Sequence, residues 1–593
     1  MKKIILTSLF FISLSVKAIE INYSLKMPKP QNHYFEVEMK LTGLKKKSIT
    51  VKMPTWAPGS YMIREFSKNV NLVKAFDDQG NSIHVEKTAK NAWKIQTDNH
   101  KSVKIKYEVY AFELSVRTSF LDLTHGYVNG SSMFMYVDGS KDMQGKIDIY
   151  PYEDFHVITT ALPKPNDSIR FENAKTFSFK DYDQLIDCPI EIGNQEVFEF
   201  SAAGTHHTVA MFGYGNFVIP TLQKDMKKIV EAATNVFGQN PNKEYTFIIH
   251  NVLDGQGGLE HINSSTLSVG RFSYVGKEYL DFLSLVAHEY FHLWNVKRIR
   301  PIQLGPFDYD QENYTSLLWI MEGFTSYYDD LILRRADYTS ESEYLQNLNN
   351  TLNYVEGTEG SRVQPLAHAS YDAWIKGYRP NENSNNTTMT YYSRGQLIAA
   401  LLDIQIVSKF NATKSLDDFM RLLYQKYYKK QQRGFSEKEL EETLTEFMEE
   451  DMSSFLNDYV YDTKIPDYKS LFEKVAVKAV YNGQRKPSFG VTFSNDGSCI
   501  IKAIRSNSAA ENAGLNVNDE VIGINGFKVN SSNIESFILG HKPGQTFNVL
   551  ISREDLLIEI VCTMADYERK SFKLSLDDYN MNLENRNFWL RKI

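Results

Sequence analysis

The stretch HEYFHLWNV, residues 288–296, is the part of the sequence on which the fold prediction rests. His288 and His292 stand four residues apart within an apolar segment, 280–296, whose period is helical. Four residues are about one helical turn, so both imidazoles project from one face and can share a metal ion. Glu289 adjoins the first histidine, where a general base belongs. The spacing predicts a zinc centre, although a His-Glu-x-x-His pattern also arises by chance.

A catalytic zinc ion needs a third protein ligand, and two downstream carboxylates are candidates. Glu312 stands in the polar stretch DYDQEN, residues 308–313, which is typical of a loop or a helix start. Glu322 directly follows LLWIM, residues 317–321, within a strongly apolar helical segment. Because an ionised carboxylate in such a setting is costly unless a cation compensates it, we predict Glu322 as the third ligand.

These two stretches carry a family resemblance. HEYFHLWNVKRIRP, residues 288–301, followed by LLWIMEGFTSYY, residues 317–328, resembles the glycyl aminopeptidase family of gluzincin zinc metallopeptidases. The more distant alanyl aminopeptidases place their ligand glutamate in a similar apolar helix, but residues 297–313 form an insertion relative to them, as in the glycyl family. The resemblance implies a zinc cofactor, a peptide substrate and a preference for small N-terminal residues such as Gly and Ala.

A glycine-containing motif, GGLEH at residues 257–261, precedes the predicted metal helix. By resemblance, Glu260 binds the free α-amine of the substrate, which restricts cleavage to one residue at the N-terminus. Gly257 and Gly258 allow close approach of the backbone to a peptide, and Glu260 offers a charge partner for an ammonium group. The alternative is a glycine turn with a solvated glutamate.

A second motif, YYSRG at residues 391–395, resembles the Tyr-Glu-Lys-Gly signature of the alanyl aminopeptidases. The aligned position is Tyr392, and the resemblance implies that its phenol stabilises the oxyanion of the tetrahedral intermediate. A phenol hydroxyl can donate to developing negative charge. Tyr391 is the competing candidate, and a tyrosine that only packs at a helix start is the structural alternative.

The N-terminus predicts export. Lys2 and Lys3 precede an apolar run, residues 4–16, and cleavage after Ala18 is plausible. We therefore expect a periplasmic or secreted protein, and we find no later stretch long and apolar enough to cross a membrane. A net charge of −7 over 593 residues argues against nucleic-acid binding. Three scattered cysteines, of which two could pair, cannot form a metal site or a disulfide framework.

The chain is long enough for three or four domains, and we predict a multidomain α+β protein. Alternating strands suggest an N-terminal β-sandwich-like domain, and helical periodicity dominates from residue 277 to about 452. The predicted organisation is a signal peptide at 1–18, an N-terminal β domain at 19–183, a thermolysin-like α/β plus helical catalytic domain at 184–475, a PDZ domain at 476–566 and a charged tail at 567–593. Residues 369–389 are expected to form a long surface loop.

Two flanking stretches also resemble known domains. MPTWAPGSY, residues 53–61, is similar to part of the glycyl aminopeptidase N-terminal β-domain, and the sequence leaves open whether this turn reaches the active site. SFGV at 488–491, AGL at 513–515 and ING at 524–526 resemble a PDZ domain. Its loop at Phe489-Gly490 could take the carboxylate of a peptide ligand, or the domain could only buttress the catalytic part.

The sequence thus favours an exported zinc aminopeptidase. One alternative is a PDZ-assisted zinc endopeptidase whose cleft stays open at the amine end. The other is a non-catalytic peptide-binding protein, against which Glu289 speaks, because a scaffold needs no proton acceptor beside the metal.

Overall fold

A computed structural model describes residues 19–98, 100–165 and 174–592. The predicted signal peptide, residues 1–18, lies outside these residues. The chain forms two compact units, the first from the residues up to Thr55 together with Arg64–Gln195. The second unit contains Trp56–Ile63 together with the chain from Glu196 onwards. A short piece of the N-terminal sequence therefore belongs to the larger unit.

The first unit is β-rich, as predicted. Its strands alternate buried and more exposed residues; in Glu20–Lys26, for example, Ile21, Tyr23 and Leu25 face the core. A seven-stranded sheet has the order Lys175–Phe179, Gly145–Tyr150, Glu20–Lys26, Tyr34–Thr42, Ser102–Tyr110, Val70–Phe76 and Ser82–Ile83. Two four-stranded sheets accompany it: Val157–Thr160, Ile190–Gly193, Gly126–Val128 and Phe120–Leu121; and Tyr136–Val137, Ser48–Lys52, Ala92–Gln96 and Val85–Ala89.

The first unit extends beyond residue 183, where the sequence placed the domain boundary. A short helix, Tyr182–Ile186, leads into the strand Ile190–Gly193. That strand pairs with Val157–Thr160 on one side and Gly126–Val128 on the other. Pairing with distant strands, which local sequence does not encode, keeps this segment in the first unit until Gln195.

The second unit begins with a mixed five-stranded sheet. Its order is Glu196–Ala202, Thr205–Phe212, Glu244–Val252, Ser264–Gly270 and Gly258–Glu260. The three middle strands run parallel, whereas Gly258–Glu260 is an antiparallel edge strand. The helices Ile219–Phe237 and Gly276–Phe291 pack against this sheet, which explains why Glu244–Val252 is almost wholly buried.

The helical half of the second unit follows the predicted pattern closely. The helices Glu341–Gly357 and Glu437–Met448 begin at capping boxes formed by Ser340 with Glu343 and Ser436 with Glu439. The predicted long loop at 369–389 instead contains the end of the helix Leu366–Tyr371, the 3-10 helix Asp372–Trp374 and the short helix Ser384–Thr387, whose Asn- and Ser-rich sequence is also typical of loops. The remaining helices are Thr325–Arg335, Tyr391–Lys409, Leu416–Leu423, Ser453–Leu456 and Tyr468–Glu473, with π-helical Trp319–Phe324, Tyr424–Gln431 and Asn457–Tyr461.

The C-terminal β domain packs on this helical half. Asn386 joins them, since its side chain donates to the Ile504 carbonyl (2.7 Å) and accepts from the Ser506 amide (2.9 Å). Cys499 and Cys562 are unpaired and lie in its core. Its strands are Gln484–Ser488, Val491–Phe493, Ile501–Ile504, Glu520–Ile524, Phe527–Lys528, Thr546–Arg553, Leu556–Thr563 and Ala565–Arg569, with helices Ala509–Ala513 and Ile534–Leu539.

The segment predicted as a charged tail, 567–593, is folded where the structure describes it. Its strand Phe572–Leu576 pairs with Val477–Tyr481, and the helix Leu583–Trp589 follows. Trp589 is fully buried, and its indole nitrogen donates to the Tyr327 hydroxyl (2.8 Å). The anchoring partner lies far away in sequence, so composition alone predicts a tail. Within the described part of the chain, no helix combines the length and apolarity needed to cross a membrane.

Candidate active site and metal centre

His288, His292 and Glu322 converge on one point. Glu322 Oε2 lies 3.6 Å from His288 Nε2 and 3.3 Å from His292 Nε2. Two ligands about 2.1 Å from a tetrahedral ion stand about 3.4 Å apart, so these separations fit one zinc ion. Two imidazoles and a carboxylate are also the donor set of catalytic zinc sites that keep a fourth position open. The structure brings Glu322 to the histidines, whereas Glu312 lies in a loop outside this group.

Outer partners orient both histidines. His288 Nδ1 lies 2.9 Å from Asp329 Oδ2, and His292 Nδ1 lies 2.7 Å from the Asn295 carbonyl oxygen. Each Nδ1 therefore carries the proton, which leaves the Nε2 lone pair of both rings for a metal. Glu260, Glu289 and His292 form a second group of close donors, but its two extra members are carboxylates without such orienting partners among the contacts described.

Helix geometry positions the third ligand. The predicted helix begins as a π-helical turn, Trp319–Phe324, before continuing as Thr325–Arg335. Such turns often occur at functional sites. The Asn295 side-chain amide donates to the Ile320 carbonyl (2.8 Å). This bond links the π-helical turn to the chain just after the helix Gly276–Phe291, here called the histidine helix. That helix ends at Phe291, earlier than predicted, and the chain then turns so that Asn295 reaches His292.

Two glycines bring the next helix close. A Cβ atom on Gly323 would collide with Gly395, and one on Gly395 would collide with the backbone of Trp319. The helix Tyr391–Lys409 therefore approaches the Glu322 turn with its first turn at the site. The Tyr392 ring lies face to face with His288, with centroids 6.3 Å apart, and Tyr391 stacks behind it at 4.8 Å. Burial and the charge of Glu322 raise the pKa of Tyr392 well above its usual value, so the phenol keeps its proton.

Glu289 lies beside the ligand group and is 5 % exposed. Its Oε2 atom has no hydrogen-bond partner among the described residues, which suits a group that accepts and donates a water or substrate proton. Burial raises the pKa of Glu289 to about 7, while the charges of His288 and His292 oppose the rise. Burial opposes ionisation of Glu322 as well, but the neighbouring His292 and His288 outweigh it and lower its pKa to about 2.

The GGLEH motif forms the edge strand next to the site. Gly257 adopts a left-handed φ of +117°, and Gly258 faces Glu289 so closely that a Cβ atom there would overlap its carboxylate. Glu260 is buried, with a carboxylate oxygen within 4.8 Å of a ligand atom of both Glu289 and His292. Glu260 is therefore buried in this structure, and the alternative interpretation of it as a solvated turn residue is wrong.

Sequence reasoning did not identify Asp329 or Asn295. Asp329 follows Glu322 by two helical turns, so a search for polar residues on the ligand face would have found it. Asn295 follows His292 directly after the helix ends, and nothing in its local sequence distinguishes it from an ordinary helix terminus.

Comparisons with known proteins identify the families that this chain resembles. Family models described as the Peptidase M61 N-terminal domain, M61 glycyl aminopeptidase and PDZ domain match residues 22–194, 281–398 and 487–562, respectively. No curated protein matches significantly.

Two solved structures are also similar to this chain. An aminopeptidase N family protein from Idiomarina loihiensis is 28% identical, with a TM-score of 0.88 over 96% of this chain and 100% of that one. A variant of an M1 zinc metallopeptidase from Deinococcus radiodurans, bound to a Tyr-Ser-Ala substrate, is 13% identical with a TM-score of 0.49 over 75% of this chain and 94% of that one. The predicted family resemblance and fold class are confirmed: this chain is a peptidase that carries the N-terminal and catalytic domains described for the M61 glycyl aminopeptidases and a C-terminal PDZ domain.

Proposed function

We propose that this protein is an exported zinc aminopeptidase that removes small N-terminal residues, Gly and Ala, from peptides. Zinc would be held by His288, His292 and Glu322, whose separations and orienting partners fit it. When bound, zinc polarises the scissile carbonyl and makes a water molecule a better nucleophile.

The chain's own residues transfer the proton, stabilise the oxyanion and bind the peptide. Glu289 accepts a proton from the attacking water and delivers it to the leaving amine, and its unpartnered oxygen is available for both steps. Tyr392, protonated and beside His288, donates to the developing oxyanion. The edge strand Gly258–Glu260 offers its outer side to an extended peptide, because the sheet ends there.

The observation that carries the aminopeptidase proposal is the position of Glu260. Its carboxylate is buried next to Glu289 and His292, so a positively charged α-amine bound there stands close to the general base. An ammonium group would also compensate a charge that is costly to bury alone. Attack would then fall on the first peptide bond.

Hydrolysis of paired substrates tests this proposal. We expect the zinc-loaded chain to cleave alanyl and glycyl dipeptide amides, to lose activity with a chelator, and to leave the N-acetylated forms intact. Cleavage of both forms at similar rates would instead support the endopeptidase alternative. Binding without any hydrolysis would support the non-catalytic alternative.

Export rests on the N-terminal sequence alone. Lys2, Lys3 and the apolar run 4–16 support cleavage after Ala18 and a periplasmic or secreted mature protein. Intact-mass analysis of protein from fractionated cells tests this, with a mature N-terminus at Ile19 as the expected result and a retained Met1 in the cytoplasm as the contrary one.

The PDZ domain supports a further part of the proposal, a peptide ligand at the loop Phe489-Gly490. Gly490 has a φ of +83°, and its carbonyl accepts from the Arg505 amide (2.8 Å). Arg505 also stacks on Tyr567 at 3.4 Å, close to the contact with the catalytic part through Asn386. Peptides with a free C-terminus, compared with their amides in a fluorescence polarisation assay, separate ligand binding from a purely buttressing role.

A further inference from the structure

The segment Trp56–Ile63, which contains the WAPGSY motif, is built into the catalytic unit although the chain on both sides of it belongs to the first unit. Trp56 is fully buried, and its indole nitrogen donates to the Asp308 main-chain oxygen (2.8 Å). Its ring packs edge-on against Trp374, with centroids 5.0 Å apart. These contacts fix the position of the segment within the unit that holds the active site.

Gly59 places the segment directly over Glu260. Its φ of +86° is left-handed, and a Cβ atom at this position would lie 2.6 Å from Glu260 Oε2 and 2.7 Å from Oε1. Only glycine fits both the conformation and the space. The backbone of the segment therefore covers one side of the proposed amine anchor.

Tyr61 follows two residues after Gly59 in the same segment. Its ring lies edge-on to Trp374 (5.7 Å) and Tyr378 (6.1 Å) and is 1 % exposed. Burial, with the charges of Glu322 and Glu260, raises the pKa of Tyr61 well above its usual value. Tyr61 is therefore a neutral phenol within reach of the electrostatic field of both carboxylates.

The Tyr61 hydroxyl is buried and makes no hydrogen bond within the part of the chain that the structure describes. A buried hydroxyl without a partner costs free energy, and native proteins rarely leave one without a reason. A substrate group is such a reason. Because the charges of both Glu322 and Glu260 act on Tyr61, the favoured group is a cation, and an α-ammonium brings three N–H donors that Glu260 alone does not satisfy.

We propose that Tyr61 is a specificity-determining residue whose hydroxyl oxygen accepts a hydrogen bond from the substrate's α-ammonium group, beside Glu260. Its ring borders the space for the first side chain and favours Gly or Ala there. This inference rests on the proposed aminopeptidase function. The WAPGSY segment thereby forms the wall at the amine end of the cleft.

Tyr61→Phe is the central test, because it removes only the unpartnered hydroxyl and keeps the ring. For alanyl dipeptide amides and the zinc-loaded full chain, we expect KM to rise about tenfold, the effect of losing a hydrogen bond to a charged group. We expect kcat and the melting temperature to stay close to the parent values. Unchanged KM overturns the ammonium contact, and a lowered melting temperature with no change in KM assigns Tyr61 a structural role only.

Tyr314→Phe is the matched control. Tyr314 stacks on Tyr371 (4.9 Å), and burial followed by the charge of Glu312, rather than Glu260 or Glu322, raises its pKa. We expect this variant to keep the parent KM. Tyr61→Ala, which removes the ring, should raise the kcat/KM of leucyl relative to alanyl substrates about tenfold or more, and an unchanged ratio overturns the role of the ring.

Binding without turnover separates this inference from the proposed function. In a Glu289→Gln background, calorimetry with Ala-Ala should show about tenfold weaker binding after Tyr61→Phe, whereas N-acetyl-Ala-Ala should be unaffected. If Ala-Ala binds equally well to both proteins, only the role of Tyr61 fails. If Ala-Ala binds no better than its acetylated form to the Glu289→Gln protein itself, the aminopeptidase proposal and the role of Tyr61 fail together.

Discussion

The backbone of Gly258 packs against the carboxylate of Glu289, so closely that no side chain fits between them. Gly258 of the GGLEH motif therefore helps to position the carboxylate of Glu289, the proposed general base. It does so in addition to allowing close approach of the backbone to a peptide. Gly258 lies on the edge strand and Glu289 on the histidine helix, so this contact sets the distance between the two elements at the site.

Gly258→Ala should displace Glu289. We expect kcat to fall on the order of 100-fold, since a misplacement of about 1 Å can have that effect. Glu289→Gln, which removes the base itself, should lower kcat more, by at least about 1,000-fold. Zinc content, measured by metal analysis, should be unchanged in both. Gly357→Ala, where the added methyl group makes only an ordinary van der Waals contact with the Arg569 side chain (3.9 Å), is the control, and equal activity of the two alanine variants contradicts the assignment.

Glu260→Ala should reduce the kcat/KM for free-amine substrates about 10- to 100-fold, because a charge-assisted contact to the ammonium is lost. Any residual cleavage of N-blocked peptides should change much less. Glu312→Ala removes a carboxylate outside the ligand group and should leave both activities unchanged. Equal losses on free and blocked substrates would remove the anchoring role of Glu260.

Tyr392→Phe should lower kcat about 100- to 1,000-fold with little change in KM, since the oxyanion exists only along the reaction path. Tyr391→Phe should have a much smaller effect, because the Tyr391 ring stacks behind Tyr392 rather than against His288. Steady-state kinetics of both variants decide between them, and the reverse ranking would assign the oxyanion contact to Tyr391.

Asp329→Asn should weaken zinc binding about 10- to 100-fold, as loss of an orienting partner of a ligand histidine typically does. Competition with a fluorescent chelator measures the affinity. Asp330→Asn is a neighbouring control, because its carboxylate faces Asn347 and Gln396 instead of His288. Identical zinc affinities of the two variants would show that Asp329 does not orient the ligand.

Asp403 predicts a pH dependence of stability away from the metal centre. Burial and the charge of Asp417 raise its pKa to about 6 in the folded protein, against about 3.9 when unfolded. Between these values only the folded state holds the proton, so stability falls as the pH rises from about 4 to 6 and is constant above. The loss is roughly 3 kcal/mol.

Asp403→Asn retains an acceptor for the Leu416 amide (2.7 Å) and has no proton to lose. Urea unfolding of both proteins from pH 4 to pH 7 should therefore show the wild type losing stability relative to the variant. Parallel curves over this range would contradict a raised pKa.

Much of the site follows from local sequence patterns. The spacing of His288 and His292 and the apolar setting of Glu322 are properties of single helices, and periodicity reports them directly. The structure brings these three residues together as predicted, and the comparisons confirm the predicted family and domain types. The folded segment at 567–592 was not predicted, because its anchor Trp589 packs against residues far away in the chain.

The sequence by itself determined the long helices of the catalytic unit, the β-rich character of the flanking domains, the family resemblance and which side chains could bind a metal. Only the tertiary structure decided that Trp56–Ile63 belongs to the catalytic unit, that Gly59 lies over Glu260 and that Gly258 shapes Glu289. The physical reason is that local propensity depends on neighbours within a few residues. Contacts such as Gly59 with Glu260 depend on how distant elements pack, which no short window of sequence contains.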